Sequence, residues 1–156
     1  MLRIRLVCAA RDREAWVKEG TAHYTRLLSR YAEVKVDFVS PPKHPPSASP
    51  SRIRAAEADL LQKSLGTDFR VALSDAGTPF ESHDFAHWID RLHTISKGRV
   101  DFVIGGPYGL DRKLTDSADF VLSLSPLTVS HQLARIVLLE QLFRAFSILH
   151  HTDYHK

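Results

Sequence analysis

The segment 100–149 constrains the fold more than any other part of the chain. It predicts a strand, a glycine-rich turn, a short helix, a second strand, a loop and a long helix in succession. Both strands are short and apolar, and each runs directly into turn residues, 105–110 after the first strand and 123–130 after the second. Ligands of open α/β sheets bind outside the carboxyl ends of the strands. These two turns are therefore the predicted binding region for a small molecule.

The residues before this segment continue the alternation of strand and helix. Strands are predicted at 2–9, 33–39, 69–74, 100–104 and 120–124, and the turn after the third strand at 75–79. Helices are predicted to follow the capping residues Asp12, Ser51 and Ser82, and the last helix to span 131–149 after Ser130. A segment with five of the chain's eight prolines, 40–51, predicts a surface loop. This alternation predicts an α/β fold, a parallel-stranded sheet with helices on both faces, and the 156 residues predict one domain over 1–156.

Composition excludes several classes of protein. With 44% hydrophobic and 25% charged residues the chain is typical of globular proteins rather than disordered ones. A net charge of +3 permits a nucleic-acid partner without requiring one. The single cysteine, Cys8, excludes an internal disulfide and favours a reducing compartment. Because no apolar run approaches the roughly 20 residues of a membrane span and the first residues lack a signal-peptide core, we expect a cytoplasmic protein with no membrane contact.

The last predicted helix is apolar on nearly all sides. Only Glu140, Arg144 and Ser147 form a narrow polar stripe in its second half. A helix of this kind is buried on more than one side, which favours a homodimer whose interface includes it; the alternative is a central helix in a monomer. Glu140 and Arg144, four residues apart, are typical of an ordinary helix pair or of an interface pair.

Two short motifs lie at the predicted binding region. The glycines of 105–109 let a ligand approach the backbone, but the pattern is neither a dinucleotide fingerprint nor a P-loop, and a tight turn is an equal alternative. The loop 124–129 mixes apolar side chains with hydroxyls, which suits a base edge and its ring. His131 and Arg135 follow one helical turn apart, although a surface histidine and arginine would give the same pattern.

The histidines do not predict a metal site. His83 and His87 are four residues apart, but the glutamate of a zinc-protease motif and a third ligand are missing, so solvated histidines are the favoured interpretation. The polar C-terminal tail would ordinarily fray. Its Tyr154 could nevertheless stack on an unpaired base while His155 and Lys156 meet phosphate or assist proton movement.

Three motifs together resemble a known family. VIGGPYGL, LSLSPLTVSHQLARIVLLEQLFRA and the terminal YHK resemble the ribosomal RNA large subunit methyltransferase H family, small methyltransferases of the SPOUT class. The resemblance covers essentially the whole chain, although the first hundred residues match mainly in layout. It implies a C-terminal trefoil knot, which pattern reading alone would exclude, and a homodimer. It also implies S-adenosylmethionine as cofactor and methylation at N3 of a pseudouridine in 23S rRNA within the ribosome.

The resemblance also implies the site residues. The cofactor contacts fall on Leu73, Gly105, Leu124, Ser125, Pro126, Leu127, Thr128 and Val129. The candidates for catalysis are His131, Arg135, Tyr154 and His155, with His155 or His131 handling the proton and Arg135 holding RNA. Asp153 and Lys156 depart from the proline and arginine common in relatives, so contacts of the tail are expected to differ in detail.

Two other functions fit the same residues. One is a SPOUT methyltransferase acting on another RNA, such as a ribose methylase on tRNA. The other is a non-catalytic, ribosome-associated dimer that binds RNA. Binding of S-adenosylmethionine separates the second from both enzymes.

Overall fold

Strands and helices alternate along the chain, as predicted. The structure, a computed structural model, describes residues 1–11 and 13–156. Its strands are β1 (Leu2–Cys8), β2 (Ala32–Phe38), β3 (Phe69–Thr78), β4 (Arg99–Ile104) and β5 (Phe120–Leu122). Its helices are α1 (Ala15–Leu28), α2 (Pro50–Ser64), α3 (Ser82–Ile95), α4 (Arg112–Ser117) and α5 (His131–Leu149). The strands form one five-stranded sheet in the order β2-β1-β4-β3-β5, and all pairings are parallel.

Helices cover both faces of the sheet, which confirms the predicted fold class. Alternate residues of a strand point to opposite faces, so Ile4 and Leu6 of β1 enter the larger apolar cluster, which also contains residues of α1, α3 and α5. Val7 points to the other face and packs in a smaller cluster with Leu61 of α2 and Leu114 of α4. The sheet is therefore buried between two helical layers, and the loops at the ends of its strands remain accessible to a ligand.

Two predicted helix caps are wrong, and one lies outside the described residues. α2 begins at Pro50 rather than after Ser51, and the hydroxyl of Ser49 caps it; proline suits this position because the first turn has no partner for its N–H anyway. α3 begins at Ser82 itself. Asp12, the predicted cap of the first helix, lies outside the described residues.

The third strand is longer than predicted, and the fifth is shorter. β3 does not turn away after Ser74 but continues with an irregularity to Thr78, which pairs with Leu122 of β5. The backbone N–H of Ser123 donates to the carbonyl of Thr78 at 3.0 Å. The close approach of this part of β3 to β5 requires glycine at position 77, because a Cβ on Gly77 would lie 2.7 Å from the carbonyl oxygen of Val121. The predicted turn 75–79 is thus largely part of β3, and it pairs with the end of β5.

The trefoil knot that the family resemblance implies stays a prediction.

A buried ion pair stabilises the centre of the sheet. Asp101 of β4, whose side chain is 2% exposed, accepts hydrogen bonds from Nε and Nη2 of Arg5 at 2.9 and 2.6 Å, and this hydrogen bonding raises the pKa of Arg5.

We expect Asp101→Ala to lower the free energy of unfolding by about 3 kcal/mol, because it leaves a half-buried guanidinium without its main partner. Urea denaturation measures this. The control is Lys35→Ala, which removes a 72%-exposed partner of Asp37 and should change stability by less than about 0.5 kcal/mol; equal effects would contradict the prediction.

Candidate functional site

A cavity of about 350 Å³ opens at the carboxyl ends of β3, β4 and β5. Its walls come from residues 73–75, 104–110 and, in part, 124–134. Small-molecule sites are typically about 300–1,000 Å³, so the cavity is large enough for a ligand of nucleoside size. Its position agrees with the rule that ligands bind where parallel strands end.

The glycine turn after β4 forms one wall. A Cβ on Gly105 would lie 2.5 Å from the carbonyl carbon of Gly109 and 2.8 Å from the backbone nitrogen of Leu110. Gly109 itself has φ +79°, in the left-handed region that favours glycine. The turn is closed by the N–H of Gly109, which donates to the carbonyl of Gly106 at 3.0 Å. Gly105 therefore lets the end of β4 pack directly against the backbone of Gly109, and the side chains of Pro107, Tyr108 and Leu110 also line this side of the cavity.

A buried carboxyl group lies against the same turn. Glu57 of α2 is 5% exposed, and its Oε2 would lie 2.6 Å from a Cβ on Gly106. Burial raises the pKa of Glu57, and the nearby His44 opposes this to a smaller extent. Gly106 thus allows α2 to pack closely against the turn.

The loop after β5 forms the opposite wall and is tied to the end of β3. The hydroxyl of Thr128 donates to Oδ2 of Asp75 at 2.8 Å, and that of Ser123 donates to the carbonyl of Asp75 at 3.2 Å. Within the loop, the N–H of Leu127 donates to Oγ of Ser125 at 3.0 Å. These bonds fix the loop while Leu127 stays 77% exposed beside the cavity.

Nearly all of the predicted cofactor residues meet at this cavity. Those lining it are Leu73, Gly105, Leu124, Ser125, Leu127, Thr128 and Val129. Pro126, in the same loop, is exposed and is not among the lining residues. The structure thus brings the predicted set together, and its role in cofactor binding stays a prediction.

The two candidates at the start of α5 lie in different surroundings. His131 lines the cavity, directly after Ser130, whose hydroxyl caps the helix as predicted by accepting from the N–H of Leu133 at 3.2 Å. Arg135 is fully buried, with its guanidinium carbon 4.7 Å from the ring centroid of Phe38. The prediction that Arg135 holds RNA finds no support in this position, because a buried guanidinium is not presented at the surface.

The C-terminal tail packs against the second half of α5. The phenol of Tyr154 donates to Oε1 of Glu140 at 2.9 Å, and Nη2 of Arg144 donates to the same oxygen at 2.6 Å. His155 contacts Nη1 of Arg144 through Nδ1 at 3.2 Å. At 1.5 Å per residue, His131 and Arg144 are roughly 20 Å apart along the helix axis. Within one protomer, the tail and the cavity are therefore separate.

Electrostatics define what the tail can do chemically. Partial burial, and then the hydrogen bond to Glu140, raise the pKa of Tyr154. The hydrogen bond to Glu140 also raises the pKa of Arg144. At neutral pH the phenol therefore keeps its proton and is suited to donate a hydrogen bond or to stack, rather than to act as a base.

Comparison with known proteins identifies the family. The family model "Predicted SPOUT methyltransferase" matches residues 2–155. A Ribosomal RNA large subunit methyltransferase H from Streptococcus equi subsp. zooepidemicus is 36% identical over 99% of this chain and 100% of its own length. The protein of the same name from Desulforamulus reducens is 38% identical over the full length of both chains. The chain belongs to the ribosomal RNA large subunit methyltransferase H family, within the SPOUT methyltransferases.

Solved structures support the fold of this family. A probable methyltransferase from Bordetella pertussis has a TM-score of 0.58 at 16% identity, covering 92% of this chain and 96% of its own. A probable methylase family protein from Haemophilus influenzae has a TM-score of 0.55 at 16% identity, covering 99% of this chain and 70% of its own. At this identity the likeness concerns the fold alone, and it agrees with the family assignment.

Two neighbours of the cavity were not predicted from sequence. Asp75 accepts hydrogen bonds from Ser123 and Thr128 of the loop after β5, and the signal for it was its place at the end of the predicted third strand. Glu57 gave no signal, since one carboxylate in a helix is usually solvated. Among residues 1–11 and 13–156 no group of three or more possible metal ligands lies together. In the same part of the chain, no helix combines the length and apolarity needed to cross a bilayer.

Proposed function

We propose that this protein transfers a methyl group from S-adenosylmethionine to N3 of a pseudouridine in the 23S rRNA of the ribosome, in the cytoplasm. Relatives that span its whole length at 35–38% identity are named Ribosomal RNA large subunit methyltransferase H, which supports rRNA as the substrate. The observation that carries the proposal is that Leu73, Gly105 and the loop after β5, the residues expected to bind the methyl donor, line one cavity.

The cavity fits the methyl donor chemically. The glycine turn after β4 brings backbone groups to the cavity, and Leu127 and Val129 offer apolar surface to an adenosyl ring. The hydroxyl of Thr128, which donates its hydrogen to Asp75, still offers its oxygen as an acceptor. When bound, S-adenosylmethionine supplies a methyl group on a positively charged sulfur, which makes the methyl carbon an electrophile. The protein residues then have to orient the donor, exclude water and manage one proton.

A homodimer completes the proposed site. The tail lies roughly 20 Å from the cavity of its own protomer along α5, whereas a two-fold axis near the middle of α5 would set the end of this helix in one protomer opposite its start in the other. Leu127, Val129 and Leu133 are 77%, 38% and 40% exposed next to the cavity. These side chains provide apolar surface for the partner, whose Tyr154 and His155 would then reach the donor.

The reaction needs one deprotonation. As N3 of the base forms its bond to the methyl carbon, the carbon–sulfur bond breaks with its electrons left on sulfur, and the N3 proton passes to a base on the protein. His131, at the cavity, and His155, in the tail, are the candidates for that base, which typically contributes about 10²–10⁴-fold in rate. Tyr154 is suited to stack on the uracil ring. We further propose that the trefoil knot typical of the class holds the donor loops in place.

Calorimetry and rRNA mapping test the proposal together. We expect the purified protein to bind S-adenosylmethionine at one site per protomer. We also expect ribosomes from cells lacking the gene to be missing one methyl group on a 23S pseudouridine, which the enzyme restores in vitro. Absence of donor binding would favour a non-catalytic RNA-binding dimer, and methylation of tRNA instead of ribosomes would favour another SPOUT activity. Either result would overturn the proposal.

A further inference from the structure

We infer that Arg144 holds His155 as the neutral imidazole with its proton on Nε2, so that His155 donates a hydrogen bond to the substrate base instead of accepting the N3 proton. This inference rests on the proposed function for its substrate. The tautomer itself can be tested without any RNA.

The contact between the two side chains fixes the proton by elimination. Nη1 of Arg144 lies 3.2 Å from Nδ1 of His155. A guanidinium carries only donors and no acceptor, so Nδ1 must offer its lone pair to this bond. The one proton of a neutral imidazole then resides on Nε2. A doubly protonated ring would place one N–H against another and a second positive charge beside the guanidinium.

Arg144 is itself held in place. Its Nη2 donates to Oε1 of Glu140 at 2.6 Å, and their side chains are only 25% and 18% exposed. The phenol of Tyr154 donates to the same oxygen at 2.9 Å, and Nε2 of Gln141 donates to the other carboxylate oxygen at 2.5 Å. The guanidinium carbon also lies 4.9 Å from the centroid of the Tyr154 ring. Glu140 therefore balances the charge of Arg144 and keeps its free N–H aimed at the imidazole.

The other groups around the ring leave this assignment intact. His83 of α3 approaches edge-to-face, with the two ring centroids 5.0 Å apart. Arg144 of α5 and His83 of α3 contact the His155 ring directly, Glu140 and Tyr154 contact Arg144 rather than the ring, and Asp153 and Lys156 are charged neighbours in the chain. No carboxylate among these contacts His155 directly, so none of them favours a proton on Nδ1.

A neutral Nε2–H suits a particular step of the reaction. When N3 of the pseudouridine loses its proton, negative charge spreads onto the two carbonyl oxygens that flank it. A donor aimed at one of these oxygens stabilises that charge without itself changing protonation state, as neutral histidines do elsewhere. The N3 proton must then pass to another group, and His131 at the cavity is the remaining histidine among the catalytic candidates. Arg144 is in this scheme a positioning residue.

Nitrogen NMR tests the tautomer directly. In the ¹⁵N-histidine-labelled protein, without RNA, the signals that disappear in His155→Gln belong to His155. We expect a pyridine-like shift at Nδ1 and a pyrrole-like shift at Nε2 near neutral pH. Arg144→Met should mix the tautomers, Arg144→Lys should keep the native one because an ammonium also only donates, and Arg112→Met, at a 92%-exposed side chain, should change nothing. A proton on Nδ1, or a doubly protonated ring, in the native protein would overturn the inference.

Rate measurements test whether His155 acts as a hydrogen-bond donor rather than as the base. Loss of one donor to a developing anion costs about 10²–10³-fold in kcat, so we expect that loss in His155→Ala with an unchanged affinity for S-adenosylmethionine. Glutamine places an amide N–H near the position of Nε2 and should recover part of the lost rate. Equal inactivity of the two variants, with a histidine-like pH dependence of kcat lost in both, would show that His155 is the base. Because donor binding and the NMR result are measured separately, failure of the inference is distinguishable from failure of the proposed function.

Discussion

Gly105→Ala is expected to lower the affinity for S-adenosylmethionine by about 5- to 150-fold, since the strain of an added methyl group costs about 1–3 kcal/mol. The new Cβ would lie 2.5 and 2.7 Å from the carbonyl carbon and oxygen of Gly109. Both are backbone atoms that cannot rotate away, so the turn has to move into the cavity or away from it. Calorimetric titration with S-adenosylmethionine, after a thermal melt that confirms folding, measures the effect.

The matched control is Gly66→Ala. Gly66 has no atom within 4 Å of an added Cβ and lies in a loop away from the cavity. The Gly66→Ala protein should therefore bind the donor with the affinity of the native protein. If Gly105→Ala folds and binds the donor with native affinity, the glycine turn is not the wall against which the donor rests.

Mixing two impaired variants is expected to restore activity if the site is shared between protomers, when the donor concentration saturates the native cavity but not the Gly105→Ala cavity. One variant carries Gly105→Ala, which disables the cavity, and the other carries His155→Ala, which disables the tail. In a heterodimer, one of the two sites then combines an intact cavity with an intact tail. Random exchange makes half of the dimers heterodimers, so about a quarter of the native methylation rate should return.

The control for this experiment is a chain that carries both substitutions, mixed with native protein. When Gly105→Ala and His155→Ala occupy the same chain and are mixed with native protein, the heterodimer has no intact site, and the rate should fall below that of the native dimers diluted to the same extent. If separate variants never complement each other although mass measurement shows heterodimers, cavity and tail act within one protomer. That result would exclude the shared site while leaving the cofactor pocket in place.

The sequence predicted the parts of this molecule that depend on local pattern. The alternation of strands and helices predicted the parallel sheet. A long, mostly apolar segment after a serine cap predicted both ends of α5, His131 and Leu149. The position of the cavity followed from where strands end, because parallel strands bring their carboxyl ends to one edge whatever their order. Local chemistry and chain direction were sufficient for these predictions.

Contacts between distant segments were not predictable in the same way. Periodicity shows that one side of α5 is polar, but it does not show that Glu140 binds a tyrosine fourteen residues further on. The spacing of His131 and Arg135 also left open whether Arg135 belongs to the site or to the surface, whereas tertiary packing buries it over Phe38. The extension of β3 to Thr78 depends on backbone contact with β5, for which the turn residues 75–79 gave no signal. In each case the deciding partner lies on another element.

The hydrogen bonds between Asp75 and the loop after β5 have a consequence for folding during synthesis of the chain. Asp75 bonds to Ser123 and Thr128, which follow it by 48 and 53 positions. Such distant pairings form late, because the intervening chain must be ordered first. The cavity of a nascent chain therefore forms only once the loop after β5 has been translated, and a ligand of the cavity can stabilise only chains that already contain this loop.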